Sequence, residues 1–194
     1  MVTDLARKWS TQLIRPIAEL LGSLGLTPNA VTVLGLALTV AVAAIIATGR
    51  TQLGGVLLIF TLAFDAVDGT LARLMGSTSR FGAFLDSTLD RWAEVALYSA
   101  LVWLFLREGQ DTGVLLSTAA MATSLLVSYT RARAEGVGIP CKEGLLTRFE
   151  RMVLLIAGLI FNQVILALGV IAILAGITAV QRIWATWRLA RLSA

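Results

Sequence analysis

The sequence predicts an all-α polytopic membrane protein, with six transmembrane helices in one domain preceded by an N-terminal amphipathic helix on the membrane surface. Three observations carry this expectation. The 194 residues are 57% hydrophobic, with a mean hydropathy of +0.84, against about 45 to 50% apolar residues in an ordinary soluble domain. The apolar residues gather into runs long enough to cross a hydrocarbon core about 30 Å thick, separated by short Gly-rich or charged turns. The basic residues fall almost entirely at alternate turns. No internal repeat, low-complexity segment or soluble domain interrupts the pattern, so residues 1–194 read as one unit: 1–24 interfacial, 28–190 a six-helix bundle.

From Val2, Leu5, Trp9 and Leu13 through Ile17, Leu20 and Leu24, apolar residues recur every three or four positions. Charged and polar residues (Asp4, Arg7, Lys8, Thr11, Arg15, Glu19) fall between them, the pattern of a helix lying in the interface, with a break expected at Pro16. Thr27-Pro28-Asn29 marks the start of the first span, with Thr27 or Asn29 as its cap, and the run reaches about Thr48. Gly49-Arg50-Thr51 turns the chain into a second span, from Gln52 to about Leu74. Gly76-Ser77-Thr78-Ser79 is the next turn, and a third helix runs from Arg80 to about Leu106. After the polar loop 107–111, a fourth span covers Thr112 to about Ala134. A loop with Gly136, Gly138 and Pro140 leads to the fifth, from near Leu145 to Phe161. Asn162-Gln163 is a tight turn, and the sixth runs from Val164 past Val180.

With the N-terminus in the cytoplasm, fourteen of the sixteen basic residues lie on that side, and only Arg50 and Arg107 lie opposite. The positive-inside rule therefore puts both termini and the 74–80 turn in the cytoplasm. The start of the chain has scattered charges and no apolar core ending in a cleavage site, so no cleavable signal peptide is expected. The single Cys141 allows no intramolecular disulfide, and the absence of His removes imidazole as ligand or base, leaving carboxylates, Lys or Tyr for proton transfer.

Four carboxylates stand out in otherwise apolar sequence: Asp65 and Asp68 in the second span, Asp86 and Asp90 in the third. Each pair shares a helix face, at i, i+3 and i, i+4, and the short turn between the spans can bring the pairs together. At about 1.5 Å per residue, Asp65 lies roughly 12 Å from Arg73 and Asp90 about 15 Å from Arg80, just beneath the cytoplasmic interface. One carboxylate at mid-bilayer depth costs about 2.5 to 3.5 kcal/mol, and four together repel unless protonated or bridged by metal. Oxygen-only ligands point to Mg²⁺, Mn²⁺ or Ca²⁺ rather than zinc, and two divalent ions would balance four charges. Gly69, Ala72 and Gly82 lie about a turn from these carboxylates. Their small side chains let either a ligand or a neighbouring helix approach the backbone.

Written out, the stretch reads D-x-x-D-G-x-x-A-R-x8-G-x-x-x-D-x-x-x-D from Asp65 to Asp90, and it resembles the signature of the CDP-alcohol phosphotransferases. The resemblance implies a membrane enzyme of prokaryotic phospholipid synthesis that attacks a CDP-activated lipid and releases CMP, with a homodimer and one site per subunit. By the same resemblance Asp65, Asp68, Asp86 and Asp90 line a two-metal site for Mg²⁺ or Mn²⁺ that holds the pyrophosphate. Asp90 is the base that deprotonates the acceptor hydroxyl. Gly69, Ala72, Arg73 and Gly82 flank the CDP-lipid, and Pro28-Asn29-x-x-Thr32, similar to the family's short element before its first span, brings Asn29 and Thr32 to the nucleotide. Glu94 continues the Gly82, Asp86, Asp90 face, and either supports the site or pairs with another helix.

The acceptor is read from Ser128-Tyr129-Thr130-Arg131-Ala132-Arg133. This segment resembles the one that holds the phosphate of inositol phosphate in phosphatidylinositol phosphate synthases and their archaeal ether-lipid counterparts, where a fifth-helix arginine, here Arg151, joins it. Several guanidinium groups near the Ser128 hydroxyl suit a phosphate dianion. Alternatively these arginines only enforce topology, with Arg131 paired to Glu135. Actinobacterial inositol enzymes carry Lys where Arg131 stands, which leaves glycerol 3-phosphate open as the acceptor. The expected partners are thus a CDP-lipid, a phosphorylated polyol and the membrane, with no nucleic acid. A cation transporter would place acidic residues at mid-depth in several helices, whereas these crowd two helices near one interface. A non-catalytic scaffold leaves the cluster unexplained. Ala172-x-x-x-Gly176 and Gly54-Gly55 offer close-contact surfaces within one subunit or between two.

Overall fold

The structure is a computed structural model that describes residues 15–141 and 143–192. Among these the chain is all-helical: α1 (residues 15–23), α2 (Pro28–Ala47), α3 (Thr51–Leu74), α4 (Arg80–Arg107), α5 (Asp111–Gly136), α6 (Arg148–Ile160) and α7 (Val164–Leu192). Helix starts follow the side-chain oxygens the sequence supplies. Thr27 Oγ1 accepts from Ala30 N at 3.3 Å, so Thr27 rather than Asn29 caps α2, with Pro28 at the first helical position. Ser79 Oγ accepts from Gly82 N at 2.9 Å and starts α4. Thr147 and Glu150 form a capping box that starts α6, three residues after the predicted Leu145.

Among the described residues, four helices are long and apolar enough to cross a membrane: α2, α3, α5 and α7. The other two long helices fall short for different reasons. Helix α4 has 28 residues, about 42 Å of helix, but Asp86, Asp90, Arg91 and Glu94 crowd its first half. Helix α6 has only 13 residues, about 20 Å.

The chain divides into two compact units. The first comprises residues up to Val42 and Leu57–Ala93. Its core joins Ala18 of α1, Val31 of α2 and Val67 and Leu71 of α3, with Leu21, Leu26 and Phe64 packed alongside. Gly22 lets α1 lie on α3, since a methyl there would come within 3.1 Å of Leu71 Cδ1. The opposite face of α1 exposes Ile17, Leu20 and Leu24, the described part of the predicted interfacial stripe. The rest of that stripe, on residues 1–14, lies outside the described residues. Helices α2 and α3 run antiparallel, Thr32 meeting Asp68 and Gly35 lying beside Asp65.

The second unit comprises Ala43–Val56 and the chain from Glu94 onward. Here α5 and α7 are parallel: Leu116 lies beside Gly169, Thr123 beside Gly176, and Val127 packs with Ala175 and Ala179. Tyr98 meets Ser124 and Phe105 meets Gly113, so the second half of α4 is antiparallel to α5. Helix α6 returns the chain between the two parallel helices, pressed on α7 where Gly158 meets Ala167. The Gly54-Gly55 pair is used inside the chain. Gly54 admits Ile46, and a methyl on Gly55 would lie 2.8 Å from Leu159 Cβ.

Candidate active site

Within the first unit, the antiparallel pairing of α2 with α3 and the N-cap at Ser79 surround a cavity of about 380 Å³. Of the residues singled out in the sequence, Asn29, Thr32, Asp68, Gly69, Ala72, Arg73, Gly82 and Asp86 line it, and the Ser77-Thr78-Ser79 turn closes one side. Asp68 is 8% exposed and its carboxylate is gripped at both oxygens. Thr32 Oγ1 donates to Oδ2 at 2.7 Å, and Gly69 N donates to Oδ1. Asp86 and Asp65 both repel the Asp68 charge through space. Gly35, a small residue that the sequence reading passed over, makes room for Asp65, whose Oδ1 would lie 3.2 Å from a methyl placed there.

The two readings of the small residues separate here. A methyl on Gly69 would meet nothing within 4 Å, so this glycine is not holding helices together and instead leaves the backbone bare. Gly82 does serve packing: a methyl there would press on Ser79 Oγ at 3.1 Å and Asn29 Oδ1 at 3.3 Å. Arg73 lines the cavity, with Nη2 donating to Thr70 Oγ1 at 3.2 Å. Arg91 Nη1 lies 3.5 Å from the neighbouring Asp90 Oδ2. Asp90 is one turn beyond Asp86 on α4 and is not among the cavity-lining residues.

The donor chemistry fits a hard divalent cation, because every ionisable ligand at the cavity is a carboxylate. Among the described residues no three acidic, Cys or His side chains converge as a ready-made ligand cluster.

The second unit holds the other predicted set. Ser128 Oγ donates to Ser124 O at 3.3 Å, and Arg133 is exposed. Arg131 Nε donates to Glu135 Oε1 at 2.8 Å, the i, i+4 pairing weighed above. Arg151 is 1% exposed, with Nε and Nη2 donating to the Glu94 carboxylate at 2.8 to 3.0 Å. Glu94 thus pairs with another helix, and its partner is the arginine expected at the acceptor. Arg182, one of the fourteen basic residues on the cytoplasmic side of the charge bias, is 4% exposed and donates to Glu143 O and Val127 O. Its signal is a cation just after the apolar run of the last span ends at Val180.

Comparison with known proteins agrees with this geometry. The sequence profile of the CDP-alcohol phosphatidyltransferase family matches residues 25–187. A phosphatidylinositol phosphate synthase of Mycobacteroides abscessus is 35% identical over 190 residues, covering 93% of this chain and 86% of its own. The crystal structure of Mycobacterium tuberculosis phosphatidylinositol phosphate synthase with CDP-DAG bound superposes with a TM-score of 0.86 at 32% identity, over 91% of this chain and 94% of that one. The same enzyme in complex with manganese and citrate superposes with a TM-score of 0.85 at 32% identity, over 90% and 88%.

Proposed function

The chain belongs to the CDP-alcohol phosphatidyltransferase family, and from that premise we propose that it transfers the phosphatidyl group of a CDP-lipid to a hydroxyl of inositol 1-phosphate, releasing CMP. The observation that carries the reaction type is the cavity on which Asp68, Asp86, Arg73 and the bare backbone of Gly69 converge. It combines carboxylates with a cation and an unobstructed surface, which suits a metal-neutralised pyrophosphate. Asn29, Thr32 and the 77–79 hydroxyls offer the nucleotide hydrogen-bond partners. Ala72 and Gly82 keep that wall low.

Asp65, Asp68, Asp86 and Asp90 would hold two Mg²⁺ or Mn²⁺ ions, which supply positive charge against the pyrophosphate. Thr32 and Gly69 N fix the Asp68 carboxylate. Arg73 binds phosphate oxygen. Asp90 takes the proton from the acceptor hydroxyl as its oxygen forms a bond to the β-phosphorus. The bond from that phosphorus to the bridging oxygen breaks, and CMP departs with the electron pair. The acceptor's own phosphate is assigned to Ser128, Arg131, Arg133 and Arg151, with Arg182 added because it donates to Val127 O, directly before Ser128.

Six crossings suit the helices of the second unit: α5 and α7 are parallel, so α6 must carry the chain back between them despite its length. The basic-residue bias supports a prokaryotic plasma membrane location with the site facing the cytoplasm, and family membership supports a homodimer. The test is CMP release by the purified protein in detergent with CDP-diacylglycerol and Mn²⁺, comparing inositol 1-phosphate with glycerol 3-phosphate. Turnover with inositol 1-phosphate alone is expected. Turnover with glycerol 3-phosphate alone would keep the transferase and overturn the acceptor.

A further inference from the structure

The loop between α5 and α6 is tied down by four buried polar side chains from α4, α6 and α7. Glu94 on α4 receives Nε and Nη2 of Arg151, and both side chains are 1% exposed. The remaining nitrogen of that guanidinium, Nη1, reaches Leu146 O at 3.5 Å. Thr178 on α7 accepts from Leu146 N at 3.1 Å while donating to Leu174 O at 2.8 Å. Arg182 Nε donates to Glu143 O at 2.9 Å, and its Nη1 donates to Val127 O on α5. Gly144, at φ +140°, lies so close that a methyl there would come within 2.6 Å of Thr178 Cγ2.

A tie needed only for stability does not call for a fully buried ion pair, since apolar side chains of equal volume hold a bundle together as well or better. What the pair provides is orientation. A carboxylate forked on a guanidinium sets its plane and leaves only Nη1, which also reaches Leu146 O, for a further partner. Thr178 does the equivalent for the loop backbone, and Arg182 grips the same loop at the Glu143 carbonyl while holding Val127 O on α5. Val127, whose carbonyl accepts from Arg182 Nη1, directly precedes Ser128, so Arg182 joins the loop to the segment assigned to the acceptor.

We propose that Glu94 and Thr178 are positioning residues for the acceptor's phosphate, Glu94 by fixing the guanidinium of Arg151 and Thr178 by fixing the 143–146 backbone beside Arg182. This rests on the reading above that the acceptor is a phosphorylated polyol. Neither residue touches the reacting atoms, so the effect belongs in acceptor KM rather than in CDP-lipid KM.

The experiment measures both KM values and kcat for the wild type, Thr178→Val, Thr178→Ser and Glu94→Gln, with CDP-diacylglycerol, Mn²⁺ and inositol 1-phosphate. Losing the buried acceptor of Leu146 N in Thr178→Val is expected to raise acceptor KM about tenfold, with CDP-lipid KM within about twofold. Thr178→Ser restores the wild-type value, and Glu94→Gln shifts acceptor KM further in the same direction. The proposal is overturned if Thr178→Val leaves acceptor KM unchanged, moves both KM values together, or lowers kcat alone. Thr178→Val decides the matter if Glu94→Gln does not fold. A wild type active only with glycerol 3-phosphate overturns the acceptor reading but not the positioning, which is then read from the KM of that acceptor. A wild type active with neither overturns both.

Discussion

Replacing Gly69 by Ala sets two effects of opposite sign against each other, and the structure fixes both. Residue 69 is in the body of α3 and exposed, and the new methyl would meet nothing within 4 Å. Removing a glycine from a helix interior without a clash should stabilise the protein by about 0.5 to 1 kcal/mol. For a chain of this size that raises Tm by roughly 1 to 4 °C. The hydrogen bond from residue 69 N to Asp68 Oδ1 uses a backbone donor that alanine also has, and survives. If the bare surface is where the pyrophosphate lies, the methyl takes the space of a phosphate oxygen. A displacement costing about 1.4 to 2.8 kcal/mol lowers kcat/KM for CDP-lipid by about 10- to 100-fold. The assay pairs CMP release, titrated in CDP-diacylglycerol, with thermal unfolding in the same detergent. A more stable protein with undiminished kcat/KM would refute the placement of the substrate. A fall in Tm would refute the reading of open space and return Gly69 to a packing role.

Three further substitutions separate the roles assigned to the site. Asp90→Asn should still bind Mn²⁺ while CMP release drops by at least about 100-fold, as expected for removal of a general base; near wild-type turnover would sink its assignment. Thr32→Val removes the donor to Asp68 Oδ2 and should weaken metal dependence about tenfold or more, seen as a rightward shift of the Mn²⁺ activation curve; an unshifted curve would count against Asp68 as a ligand. Arg131→Ala breaks an ion pair whose side chains are 53% and 48% exposed, so stability should change by less than about 1 kcal/mol. Its acceptor KM should nevertheless rise, and an unchanged KM would leave Arg131 with only a topological role.

The helices themselves were legible almost to the residue, because capping groups, glycine turns and apolar runs are local. Where a boundary was misplaced, at the start of α6, the local signal existed: Thr147 and Glu150 stand three apart and form the box. Part of the cavity lining was legible too, since Asp68 and Gly69 sit on one helix and Gly82 and Asp86 on the next, whereas Asp65 and Asp90 of the same motif do not line it. The purpose of each small residue was not. Gly69, Gly82 and Gly54 are alike in sequence, and only their neighbours distinguish a bare backbone from a helix contact. Arg182 and Arg151 were equally ambiguous, as a basic residue near a span end serves topology, a counter-ion or a ligand with the same composition.

By itself the sequence determined an all-α membrane chain and an aspartate-rich, family-defining motif. Helical periodicity ties residues three or four apart to a common face, and the chain's overall apolarity makes an unneutralised carboxylate cluster costly. Only the tertiary structure decided that Glu94 takes Arg151, 57 positions away, that Thr32 holds Asp68, and that Gly69 faces open space. Those outcomes depend on which helix packs beside which. A buried charge or hydrogen-bonding group settles on the partner that packing brings within reach.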